Sequence, residues 1–86
     1  MYEMPRYRDK KLLQSAAIVL KELRDKAGVN QLDVYHEIGI HVGRIESAKA
    51  NFSISTLSAL CKYFNLSLSE FCRRVEHLEE RSTRKN

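Results

Sequence analysis

Histidine and cysteine, on which hydrolytic and metal sites most often depend, number three and two in this 86-residue chain, and their spacing suits neither chemistry. His36, His41 and His77 do not cluster with Cys61 and Cys72, and the two cysteines form no C-x-x-C pair. No Ser/His/Asp or Cys/His set, paired carboxylates or phosphate loop appears, so the sequence reads as no enzyme, with no metal and no cofactor. What remains is the chemistry of cations and amides. Fifteen Lys and Arg against eleven Asp and Glu give a net charge of +4, which suits a polyanionic partner. Three runs concentrate the signal: Gly28-Val29-Asn30-Gln31, then Ile38-Gly39-Ile40, then Arg44-Ile45-Glu46.

These residues need a scaffold, and composition limits the choice. The length allows one small domain, and three glycines and one proline in a chain 43% apolar favour an all-α fold over a turn-rich β architecture. No run approaches the roughly 18 to 20 apolar residues of a membrane span, and the start, Met1-Tyr2-Glu3-Met4-Pro5-Arg6, lacks a signal peptide's apolar core, so a cytoplasmic protein is expected. In that setting Cys61 and Cys72, each on an apolar helix stripe, are expected to be reduced core thiols.

The periodicity divides the chain into a basic N-terminal arm over 1–8, a helical domain over 9–81 and a polar tail over 82–86. Asp9 caps a first helix whose inward stripe is Leu12, Ala16, Val19, Leu20, Leu23 and Ala27 and which Gly28 ends. Leu13 and Ile18 lie off that stripe, marking either a wide buried face or a patch for a partner subunit. Asn30 caps a second helix, with Asp33 completing a short-armed capping box and Val34 and Ile38 facing inward. Gly39 makes a sharp left-handed turn into a third helix, from His41 to about Ala48, with Val42 and Ile45 inside. Phe52 and Ile54 are expected to pin the next loop to the core. Ser53 or Ser55 caps a fourth helix bearing Leu57, Leu60, Cys61 and Phe64, which Asn65 stops. Ser67 and Glu70 form the capping box of a fifth, with Leu68, Phe71, Cys72, Val75 and Leu78 on its stripe. Val75 and Leu78 either pack on helix one or meet a second copy.

Gly28, Asn30, Gln31, Gly39, Ile45, Glu46 and the closing Leu66-Ser67-Leu68-Ser69-Glu70-Phe71 stand at the spacing of the lambda Cro and repressor type of helix-turn-helix domain, and over roughly residues 12 to 75 the chain resembles that XRE family. The resemblance implies a five-helix lambda-repressor-like fold. It implies that Gln31, in the first turn of helix two, bonds a phosphate oxygen, and that Ser47, Lys49 and Asn51 lie along the DNA backbone. Arg24 and Glu46 match the family's structural ion pair, tying helix one to the end of helix three. The chain departs from the family in its recognition helix. Only His41-Val42-Gly43-Arg44 separate Ile40 from the Ile-Glu pair, about three residues fewer than usual, so that base reading falls to Arg44 with His41 second. Tyr35 stands where the family prefers Ala. Gly43 permits close approach to DNA or relieves crowding near Tyr35. Arg6, Arg8, Lys10 and Lys11 either extend the backbone footprint or sweep a minor groove.

The function expected is a sequence-specific, dimeric transcriptional repressor that binds double-stranded DNA at a short inverted repeat. The alternative from another class is a protein-interaction module, such as an antitoxin that grips a toxin.

Overall fold

The computed structural model describes residues 7–84, with side chains described to Arg81, so the expectations for Arg6 and the residues before it lie outside the described residues. Five helices follow in order: α1 (Lys10–Ala27), α2 (Gln31–Ile38), α3 (Val42–Glu46), α4 (Ile54–Tyr63) and α5 (Leu68–Arg84). Among the described residues there is no strand. The helical domain thus runs past the expected boundary at residue 81, because α5 continues into the polar stretch.

Local chemistry sets the breaks. The Asp9 carboxylate accepts from the Leu12 N–H at 3.1 Å, and Gly28, at φ 74°, closes α1 by donating to the Arg24 and Asp25 carbonyls. Both arms of the Asn30–Asp33 box form, at 2.8 and 2.9 Å. Gly39 ends α2 at φ 72°, a left-handed conformation that costs glycine little. Ser53 rather than Ser55 caps α4, its hydroxyl accepting from the Thr56 N–H. At α5, Ser67 accepts from the Glu70 N–H, while the Glu70 carboxylate is engaged by Arg73 and Arg74. Those two guanidiniums hold the Glu70 carboxyl down at about 2.

The core has two lobes. One gathers Ala16, Val19, Cys61, Phe71 and Val75, the other Leu20, Val34, Val42, Ile45 and Leu60, and Phe52 packs against both. Phe52 therefore pins the α3–α4 loop as expected. Ile54 does not, being 72% exposed. Val75 is buried beside α1 residues with Leu78 packed against the same lobe, which settles that part of α5 as core of the single chain.

The stripe on α1 is shifted from the expected one. Leu13 and Ala17 are buried with Ala16, Val19, Leu20 and Arg24, whereas Leu12 is 41% exposed and Ala27 is exposed. The cause is that α1 packs against α5 and α3 together, and a face set by Leu13, Ala17, Leu20 and Arg24 has helical spacing as good as one begun at Leu12. Ile18 stays exposed. Cys61 is a core thiol whose pKa burial raises, but Cys72 is exposed, since the inward positions of its turn go to Phe71 and Val75.

Candidate nucleic-acid interface

The helix-turn-helix is held from beneath by one polar network. Arg24 reaches from α1 to the end of α3 and donates from Nε and from its terminal nitrogen to the two Glu46 oxygens, at 2.8 and 3.1 Å. Its third donor takes the Val29 carbonyl at 3.1 Å, at the turn entering α2. The two side chains are 11% and 8% exposed, so the pair is shielded from solvent and fully bonded. The bond to Glu46 raises the Arg24 pKa against the opposing effect of burial. Arg24 and Glu46 thus meet as expected.

Gln31 joins this network, which the sequence reading missed. Its Nε2 donates to Glu46 Oε1 at 2.9 Å, laying the amide across α3 at Gly43. A Cβ on Gly43 would stand 2.9 Å from Gln31 Oε1, so the space that glycine leaves open is taken by Gln31. Neither expected reason for Gly43, room for DNA or relief of crowding near Tyr35, describes that contact. No local signal pointed to it, because Gln31 and Glu46 are fifteen residues apart.

Helix α3 is five residues long, shorter than the stretch from His41 to Ala48 that the sequence allows. Val42 and Ile45 are buried as expected, leaving Gly43 and Arg44 outward. His41 is the N-cap residue but bonds no α3 N–H through its side chain. Its ring lies against Tyr35, with centroids 4.3 Å apart and planes at 26°. A tyrosine at this position of α2 therefore covers the start of the shortened helix. The Arg44 side chain is exposed and makes no hydrogen bond among the described residues, and it borders a shallow cleft with His41, Asn51 and Thr56.

After α3 the chain reverses. The Ser47 hydroxyl donates to the Arg44 carbonyl at 2.8 Å, and Ala48 adopts φ 60°, a strained conformation for a residue with a Cβ. Lys49 is exposed, and its carbonyl accepts a hydrogen bond from the Arg8 guanidinium. The Asn51 amide donates to the Tyr7 carbonyl at 2.9 Å. Ser47 and Asn51 thus have partners within the chain, while Arg44 and Lys49 present free side-chain cations to solvent. At the far side of the motif the Glu37 carboxylate of α2, as an acceptor and a negative charge, lifts the Tyr63 phenol of α4 to about 12.

Two short helices meeting at a left-handed glycine, the second braced from below and basic on its outer side, define a helix-turn-helix DNA-binding domain. Comparison with known families agrees: a helix-turn-helix family of the XRE type matches residues 20–71, more than half of the chain, and the protein belongs to that family. No curated protein and no solved structure matches the chain. The family is one of DNA-binding regulators. Among the described residues no helix is long and apolar enough to cross a membrane.

Proposed function

We propose that the protein is a cytoplasmic, sequence-specific transcriptional repressor that acts as a dimer on a short inverted repeat. The observation that carries this reading is Arg44, a cation left outward and unbonded on a helix whose other positions are buried or covered. Arginine bonded bidentately to guanine gives about 1 to 3 kcal/mol of discrimination. His41, steadied by Tyr35, supplies a second edge beside it. Gln31 keeps an amide hydrogen beyond the one given to Glu46 and stands at the start of α2, where N–H groups favour phosphate. Lys49 follows the backbone next to it, on a loop that Ser47 and Asn51 shape through their own bonds to the Arg44 and Tyr7 carbonyls. So small a reading surface needs a second copy to specify a site, and the exposed Leu12, Ile54 and Leu68 offer apolar area for that contact.

A second reading, an antitoxin or other protein-interaction module, is favoured by the apolar groove between α1, α4 and α5, lined by Leu12, Leu13, Ile54, Leu57, Phe71 and Val75. The two separate on one comparison. Arg44→Ala is expected to abolish preference for a cognate over a scrambled duplex while leaving weak binding, and Gln31→Ala to weaken both alike. Equal loss of both duplexes in Arg44→Ala removes its role as reader.

A further inference from the structure

We propose that the docked end of the N-terminal arm and the loop after α3 form a two-walled seat for a nucleic-acid backbone phosphate, with Arg8 and Lys10 on one wall and Lys49 on the other. The proposal rests on the DNA-binding reading above and goes beyond it in giving the arm a fixed place. A concave surface is lined by Arg8, Lys10, Gln14, Ser47, Ala48 and Lys49. Three of these six are cations and none is a carboxylate, so the cleft concentrates positive charge.

Two contacts hold the walls together. Arg8 donates to the Lys49 carbonyl and Asn51 donates to the Tyr7 carbonyl, linking segments more than forty residues apart in sequence. With both Tyr7 and Arg8 tied to the loop, this end of the arm is set beside α3 and does not reach round the duplex to a minor groove. The neighbouring carboxylate, Asp9, is turned to the Leu12 N–H as the helix cap, and the first turn of α1 has no acidic residue to neutralise Lys10. Ala48 in its left-handed conformation turns the chain between Ser47 and Lys49, so both remain at the rim of the cleft. Asn51 is then a positioning residue, acting through the Tyr7 carbonyl.

Each phosphate contact contributes about 0.9 to the slope of log affinity against log salt. The test compares the full chain with Arg8→Gln/Lys10→Gln and with Arg73→Gln/Arg74→Gln, which removes the same charge from two residues already paired with Glu70. Binding to a random duplex is measured from about 50 to 200 mM salt. The arm variant is expected to lose about one to two from the slope and to weaken cognate and scrambled duplexes alike, while the α5 variant keeps the slope of the parent. Equal slopes for the two variants overturn the seat and leave DNA binding standing; a parent protein that binds no duplex at the lowest salt overturns both. Asn51→Ala is expected to lower the slope in the parent and to do nothing further in the arm variant. Additive losses would mean that Asn51 meets phosphate itself, which contradicts its action through the arm.

Discussion

Replacing Gly43 by alanine sets two effects of similar size against each other. Alanine is favoured over glycine within a helix by about 1 kcal/mol. The new Cβ, however, would stand 2.9 Å from Gln31 Oε1 and 3.5 Å from its Cδ, so the amide must swing away. Swinging away breaks its 2.9 Å bond to the Glu46 carboxylate, a bond to a charged group of about 1.5 to 3 kcal/mol. In the parent protein the substitution is therefore expected to destabilise by about 0.5 to 2 kcal/mol. In a Gln31→Ala background nothing blocks the Cβ, and the same change is expected to stabilise by about 1 kcal/mol. Urea unfolding of the four proteins gives both values, and their difference, about 1.5 kcal/mol or more, is the coupling between Gln31 and residue 43. An identical effect of Gly43→Ala in the two backgrounds would refute the placement of Gln31 across α3.

Three further outcomes follow from the geometry. Glu46→Leu leaves Arg24 shielded and unpaired and is expected to cost about 3 to 5 kcal/mol, whereas Arg24→Met/Glu46→Leu should cost less than Glu46→Leu alone, both read from denaturant midpoints. Ala48→Gly relieves a left-handed alanine and is expected to stabilise by up to about 1 kcal/mol, seen as a raised Tm. Tyr63, raised from 10 to about 12 by the Glu37 carboxylate, folds best with the phenol protonated. Its contribution to stability is therefore complete below pH 10 and lost as pH climbs towards about 12. Tyrosinate absorbance should show one late-titrating phenol that disappears in Tyr63→Phe.

The parts of the fold readable from sequence were those that short-range chemistry decides. Asp9, Gly28, Asn30 with Asp33, and Gly39 bond or turn within four residues of themselves, and each performs the expected role. Leu12 and Ile54 were misassigned because apolar type says that a residue can be buried, while the packing partner decides which of two adjacent positions is. Leu13 rather than Leu12 lies on the side of α1 that meets the core, and Phe52 alone fills the space between the lobes. Cys72 followed the same course, losing the inward place to Phe71.

At the interface the buried pair Arg24–Glu46 was legible through the family resemblance, but the third member of its network was not. A glutamine at a helix start gives no sign of where its amide goes until α3 is laid beside it. The stacking of Tyr35 on His41 and the capture of the arm by Lys49 and Asn51 likewise depend on how the shortened α3 and its loop come to rest. Distances of that kind are set by tertiary packing, to which helical periodicity is blind.

Capture of sheared genomic DNA by the purified protein at near-physiological salt, followed by sequencing, asks whether five residues of recognition helix still read a DNA sequence. Enrichment of a short inverted repeat upstream of genes, lost in Arg44→Ala, is the expected result. A flat profile for the parent protein would contradict it and would turn attention to the apolar groove and a protein partner.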